Sequence, residues 1–279
     1  MKSVLVFHSY SAFGQMGINI LLPILKTGGL QPTYLPTTLL STHTAYSNPV
    51  IKAQDEFVLQ TLQHFDDLSL EFEVMVSGYC FSVDLIYQIA NYFEQHPKPF
   101  KVVDPVLGDR GQLYSGLTVD HVEAFRQLIQ KADLVTPNVT EAYLLADLPY
   151  PAEDRLTMED LQMLTKRLSA LTSGIVVVKG VVLEQDFLTN VIIKDQQILN
   201  QFSHRLRPQH YFGSGDLFAS LLTVHLMNEV DLEAAVKRSG ELILDAIDAS
   251  LADPANLQKG IEIHSILPSI YFISKQQKR

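Results

Sequence analysis

Short uninterrupted apolar runs recur along this chain, each followed by a glycine-bearing or polar loop and then by a stretch with helical spacing. Ser3 to His8 reads Ser-Val-Leu-Val-Phe-His, the pattern of a strand buried on both faces of a parallel sheet. Ser9 to Gly17 follows as a loop, and Ile18 to Leu25 as a helix stopped by Gly28-Gly29. Thr33 to Leu40 is expected to be extended, leading into the polar loop Ser41 to Tyr46. Ile51 to Leu68 carries Phe57, Val58, Leu62 and Phe65 at helical spacing, Phe72 to Ser77 is a strand, Val83 to Phe93 a helix and Phe100 to Val103 a further buried strand. Parallel strands need crossovers of a dozen or more residues, which the intervening helices provide. The expectation is an α/β fold: a doubly wound, mostly parallel sheet with helices on both faces and ligands at the carboxyl ends of its strands.

The remainder continues the alternation. Gln112 to Leu117 reads as a mobile flap and Val119 to Lys131 as a helix; Leu134-Val135 is a short strand that ends at Thr136-Pro137-Asn138, after which Thr140-Glu141 opens a helix. Thr157 to Leu171 is helical, Ile175 to Lys179 is a strand, Phe187 to Leu199 is a hairpin, and the helices Leu217 to Met227 and Leu232 to Leu251 come last. With no internal repeat, low-complexity stretch or linker, residues 1–279 are expected to form a single domain.

Charge and cysteine content narrow the function. There are 21 Lys and Arg against 31 Asp and Glu, a formal charge of −10, and no basic cluster beyond the C-terminal tail. That argues against nucleic acid or an anionic membrane as a partner. An acidic protein that handles a polyanion has to supply positive charge locally, through a lysine, a helix N-terminus or a divalent cation. Cys80 is the sole cysteine, which excludes an intrachain disulfide and suits a reducing compartment; the apolar run Val4 to Phe7 is too short for a signal peptide or membrane span, so the expected location is the cytoplasm.

The chemistry concentrates at Gly213-Ser214-Gly215-Asp216, ahead of the apolar run Leu217 to Leu226. Glycines at a sharp turn into a helix let an anion approach the first-turn amides and the positive end of the helix dipole. A carboxylate beside such a site repels the anion unless it has a task, and proton abstraction is one: Asp216 could take the proton of an acceptor hydroxyl while the helix start stabilises a phosphoryl group in transfer. The structural reading is a capped helix start, for which Ser, Asp and Gly are common. Asp104, Glu141 and Lys179 each follow a predicted strand and each has a plain reading as turn former, dipole partner or strand end. Together, two carboxylates and a lysine converging on a glycine anion loop form the parts list for Mg-nucleotide binding, with Mg²⁺ held through water.

In order along the chain, these pieces resemble the ribokinase superfamily and, within it, the pyridoxal kinase group. The matching segments are Phe7-His8-Ser9 with Gly14 and Gly17, Ser41 to Tyr46, Ser77-Gly78-Tyr79, Asp104-Pro105-Val106-Leu107-Gly108-Asp109, Thr136-Pro137-Asn138 with Glu141, Val178-Lys179, and Phe212 to Asp216. The resemblance implies transfer of the γ-phosphoryl of ATP to the 5′-hydroxymethyl group of pyridoxal, pyridoxine or pyridoxamine. It implies Asp216 as general base and the amides of Gly213, Ser214 and Gly215 as the anion hole. Ser9 and Thr44 would bind the pyridine ring, with Tyr79 beside the vitamin. Asp104 and Glu141 would organise Mg²⁺ and the phosphates, Thr136, Asn138 and Lys179 would lie on the nucleotide side, and Asp109 and Tyr114 would belong to a covering flap. Homodimer formation and help from a monovalent cation, K⁺ or Na⁺, are also implied. The chemistry agrees: an aspartate of ordinary pKa, about 3.9, is ionised at neutral pH and can activate a poorly nucleophilic alcohol, and a flap keeps water from competing.

Three alternatives remain at this stage. Hydroxymethylpyrimidine kinases share the glycine loop, although Ser41 to Tyr46 favours the pyridoxal side. A non-catalytic vitamer carrier would be expected to lose Asp216, Asp104 or Glu141, all of which are present. An NAD-linked oxidoreductase is disfavoured because Gly14 and Gly17 make an incomplete dinucleotide fingerprint.

Overall fold

The computed structural model of the chain describes residues 1–151, 155–207, 211–251 and 258–276. The chain divides into two compact units, Met1–Gly78 with Arg207–Arg279, and Tyr79–Leu206. The first unit begins with β1 (Ser3–Phe13), α1 (Ile18–Thr27), β2 (Gln31–Thr42), β3 (Ile51–Ala53), α2 (Asp55–Asp67) and β4 (Val74–Ser77). The second contains α3 (Val83–Gln95), β5 (Phe100–Val103), β6 (Gly108–Asp109), β7 (Gln112–Leu113), α4 (Val119–Ile129) and β8 (Leu134–Val135). It continues through α5 (Val139–Ala146), α6 (Met158–Leu171), β9 (Ile175–Val181), β10 (Phe187–Lys194) and β11 (Gln197–Arg205). The first unit is completed by α7 (Ser214–Met227), α8 (Leu232–Ser250) and α9 (Leu267–Gln276).

In the first unit the strands lie in the order β4-β1-β2-β3, with β1 parallel to both neighbours and β3 antiparallel at the edge. Val4 to Phe7 of β1 are wholly buried, as their continuous apolar run requires. A register shift between His8 and Ser9 leaves Thr37 of β2 unmatched, and a bulge of this kind re-aims the side chains that follow it. In the second unit the order is β5-β8-β9-β10-β11, parallel as far as β9 and antiparallel beyond. The mostly parallel α/β architecture is therefore the one expected.

Several local readings need correction. Residues Ser9 to Phe13 are not loop: β1 continues through them, paired with Thr38 to Thr42 of β2. Ile51 to Leu68 is not one helix. Ile51, Lys52 and Ala53 pair with Leu40, Leu39 and Thr38, so the available edge of β2 claims them before α2 starts at Asp55. The strand before Gly78 begins at Val74 rather than Phe72, and α7 begins at Ser214 rather than Leu217. Of the segment Gln112 to Leu117, expected to be a flap, Gln112 and Leu113 form β7, which pairs with β6 in a hairpin over 108–113. Its two-residue turn places Arg110 and Gly111 at φ 51° and 75°, the twist that suits a tight hairpin. The hairpin Phe187 to Leu199 is present and extends to Arg205, whereas α9 was not anticipated.

Helix α7 anchors the first unit. Asp216 to His225 are all buried, and the helix packs against α1 and α8. Gly28 lets the α1 terminus approach it, since a Cβ there would lie 2.5 Å from Val224 Cγ1, and Asn228 Nδ2 donates to the Gly28 carbonyl at 3.0 Å. Among the described residues, no helix is long and apolar enough to cross a membrane.

His225 gives this packing a pH dependence. Its Nδ1 lies 3.1 Å from Ser239 Oγ, while its buried Nε2 meets no partner among the described residues. Burial, reinforced by the charge of Arg238, lowers its pKa from 6.5 to about 4. Between those values the unfolded chain binds the proton and the folded chain does not, so stability rises with pH across the window. This contribution is complete above pH ~6.5, declines by roughly 3 kcal/mol as pH falls towards ~4, and changes no further below that. Urea denaturation from pH 4 to 7 is expected to show a smaller pH slope for His225→Gln than for the native sequence.

Candidate active site

In the first unit, the turn into α7 is built so that only glycine fits at its head. Gly213 has φ 86°, and a Cβ there would lie 2.5 Å from Ile20 Cδ1 and 2.7 Å from the Gln15 carbonyl oxygen. Leu217 N donates to Gly213 O at 2.9 Å, closing the first turn of α7. The Ser214 amide, one of the three expected anion-hole donors, here donates to Tyr211 O at 3.3 Å. The rest of the first turn offers Gly215 and Asp216 at the positive end of the helix.

Asp216 occupies the third position of α7, 6% exposed. Its Oδ2 accepts the Gly17 amide at 2.7 Å, and its Oδ1 lies 3.2 Å from His8 Nε2. Gly17 is as constrained as Gly213: its φ is 56°, and a Cβ would come within 2.4 Å of the Ser9 carbonyl oxygen. The carboxylate is therefore gripped by the loop that precedes α1 and by His8 in the buried run of β1. Ser9, the next residue of β1, is buried, with its Oγ 3.4 Å from His8 Nδ1.

Thr44 lies just past β2, half-buried, in a loop pinned by its neighbour His43. His43 Nδ1 accepts the Ala45 amide at 3.3 Å, so its Nε2 carries the hydrogen and donates to Gln258 O at 2.7 Å. Its ring packs 5.0 Å from that of Phe212 and 4.7 Å from that of Tyr46. Burial holds its pKa below the usual value, against the opposing effect of the Gln258 carbonyl. The loop bearing Thr44 is thus tied to the residue before Gly213. The sequence reading named Thr44 and passed over His43.

In the second unit, Asp104, Thr136 and Lys179 meet at the ends of β5, β8 and β9. Asp104 Oδ1 accepts from Lys179 Nζ at 2.7 Å and from Thr136 Oγ1 at 3.0 Å, and Asp104 is 3% exposed. The parallel order β5-β8-β9 causes the meeting, since one sheet edge collects residues far apart in sequence. Glu141 is buried at the third position of α5 in a reciprocal cap: Asn138 N donates to its Oε2 at 2.7 Å, and its own amide donates to Asn138 Oδ1 at 2.9 Å. Leu107 N reaches Glu141 Oε1 at 3.3 Å. Burial pushes the Glu141 carboxyl up to about 8; Lys179 and the two amides oppose that rise, and the neighbouring Asp104 adds to it.

Asn138 thus caps a helix, and its Nδ2 also donates to Gly108 O at 2.8 Å, fastening α5 to the β6-β7 hairpin. The hairpin is held a second time where Gly111 N donates to Thr140 Oγ1 at 2.9 Å. Asp109 and Tyr114, both half-buried, sit in and just after it. Tyr79, at the first position of the second unit, is buried, and burial raises the pKa of its phenol. Among the described residues, no group of three or more His, Cys, Asp or Glu could hold a metal ion. Asp104 and Glu141, already engaged by a lysine, a hydroxyl and amides, suit a hydrated cation better than a stripped one.

The phosphomethylpyrimidine kinase family pattern matches residues 16–262. A pyridoxine/pyridoxal/pyridoxamine kinase of Bordetella avium is 30% identical over 265 residues, covering 91% of this chain and 88% of that one. The crystal structure of pyridoxal kinase from Lactobacillus plantarum superposes with a TM-score of 0.91 at 31% identity, covering 99% of both chains. A hydroxymethylpyrimidine/phosphomethylpyrimidine kinase of Aquifex aeolicus matches less of the chain: 25% identity over 166 residues, 59% of this chain and 61% of that one.

Proposed function

This chain belongs to the phosphomethylpyrimidine kinase family, and we propose that it transfers the γ-phosphoryl of ATP to the 5′-hydroxymethyl group of a B6 vitamer: pyridoxal, pyridoxine or pyridoxamine. The observation that carries this reading is the Asp216 carboxylate, fixed by the Gly17 amide in the first turn of a helix that only glycine can open. Asp216 is the general base. The first-turn amides of Gly213, Ser214 and Gly215 stabilise the transferring phosphoryl group, with Ser214 exchanging its Tyr211 bond for the anion. Ser9 and Thr44 bind the pyridine ring, and Tyr79 contributes to vitamer binding.

On the nucleotide side act Thr136 and Lys179 with Asp104, Asn138 through its hold on the hairpin, and Asp109 and Tyr114 as the cover that excludes water. Asp104 and Glu141 would hold a hydrated Mg²⁺, which would neutralise charge on the phosphates. A monovalent cation, a homodimeric state, a cytoplasmic location and action of residues 1–279 as one kinase domain complete the reading.

The test is ADP release by the purified protein with Mg-ATP and each of pyridoxal, pyridoxine, pyridoxamine and hydroxymethylpyrimidine. The expected result is vitamer-dependent ADP formation, with kcat/KM for the best vitamer about tenfold or more above that for hydroxymethylpyrimidine. A preference for hydroxymethylpyrimidine would replace the proposed substrate, and turnover on none of the four would reject the activity.

A further inference from the structure

His8 is a polar ring in an otherwise apolar strand. It follows Val4 to Phe7, which are fully buried, and is itself only 2% exposed. A buried imidazole needs both nitrogens satisfied, and here the partners fix which nitrogen carries the hydrogen. The Ser9 amide is 2.9 Å from Nδ1 and can only donate, so Nδ1 accepts and Nε2 carries the hydrogen. Nε2 lies 3.2 Å from Asp216 Oδ1, an acceptor. The bond therefore runs from His8 to Asp216.

Two glycines make room for this ring. A Cβ on Gly78 would stand 2.1 Å from His8 Cδ2, and a Cβ on Gly17 would stand 2.9 Å from His8 Nδ1. The register shift that separates β1 from regular pairing with β2 also falls between His8 and Ser9. The backbone on three sides is shaped around one side chain, and that side chain reaches Asp216.

We infer that His8 is the positioning residue of Asp216, holding the carboxylate plane in the orientation that takes the proton of the acceptor alcohol. The inference rests on the reading of Asp216 as general base. The Gly17 amide holds one carboxylate oxygen, Oδ2. The bond from His8 holds the other, Oδ1, which sets the plane of the carboxylate, so the lone pair that receives the proton keeps a fixed direction. The proton moves from the alcohol to Asp216 as the oxygen–phosphorus bond forms and the bond from γ-phosphorus to the bridging oxygen of ADP breaks. His8 gives up no proton in that step.

Two substitutions separate positioning from filling space. In His8→Gln the amide nitrogen stands where Nε2 stood and can still donate to Asp216. In His8→Asn the amide oxygen can still accept from Ser9 N, and the side chain is too short to reach Asp216. Steady-state kinetics with the preferred vitamer are expected to give His8→Asn a kcat about tenfold or more below that of His8→Gln, with KM for the vitamer within about threefold. Equal kcat in the two variants overturns the role of His8 while vitamer turnover by the native protein stands. Absence of turnover in the native protein overturns both readings.

Nitrogen-15 NMR of histidine-labelled native protein supplies a readout independent of activity and of variant folding. His8 is expected as the Nε2–H tautomer, with its signals displaced in Asp216→Asn. The Nδ1–H tautomer, or indifference to Asp216→Asn, overturns the proposal.

Discussion

Asp216→Ala is expected to lower kcat for B6 phosphorylation by about 10³-fold, the middle of the range that a well-placed general base contributes. The substituted protein is expected to stay folded and to bind ATP. The Gly17 amide and His8 Nε2, which bond the two carboxylate oxygens, would lose their acceptor. Leaving buried donors unsatisfied costs about 1–3 kcal/mol each, so a lower melting temperature should accompany the loss of rate. The two effects are separable because Asp216→Asn retains an oxygen for Gly17 and still lacks a base. Asn is expected to recover the part of the stability carried by the Gly17 bond, without recovering rate. Calorimetric ATP binding, thermal melts and coupled ADP release on the same preparations provide the check. A near-native rate in Asp216→Ala would remove Asp216 from the role.

Asp216 was legible in the sequence because its signal is local: two glycines, an aspartate and an apolar helix within a few residues. The strand-end residues Asp104, Thr136 and Lys179 were legible for a topological reason, since parallel strands bring their carboxyl ends to one edge. The partners of Asp216 were not legible. His8 and Gly17 lie 208 and 199 residues from it in sequence, and nothing in the run Val-Phe-His-Ser marks the histidine as more than the polar end of a strand. The resemblance placed Asn138 on the nucleotide side. Its spacing to Glu141 is equally that of a helix cap, and two of its hydrogen bonds are those of a cap. Two of the fold errors share one physical cause. Residues 9–13 and 51–53 are polar or mixed and carry little periodic signal, and the strand β2 between them recruits both by backbone pairing that side-chain pattern does not report.

The Asp104–Lys179 pair should dominate the stability of the second unit. Both side chains are almost fully withdrawn from water, at 4% and 11% exposure, with Nζ 2.7 Å from Oδ1. Removing one member of a buried ion pair strands the other charge, at a cost of about 3–5 kcal/mol, whereas removing both charges together is often close to neutral. Lys179→Met is therefore expected to be severely destabilised in urea titrations, and Asp104→Asn combined with Lys179→Met to regain much of the loss. The functional consequence is electrostatic. Lys179 holds down the carboxyl pKa of Glu141, which burial pushes up to about 8. Without the lysine, Glu141 should remain protonated to higher pH, and a carboxylic acid is a poorer partner for a hydrated cation than a carboxylate. The double variant restores folding and leaves the site without both charges, so its kcat at saturating ATP is expected to need more Mg²⁺ than the native protein. A magnesium titration of ADP release, run beside the urea curves, measures both effects. Equal stability of the single and double variants would show that the pair does not hold this sheet edge together.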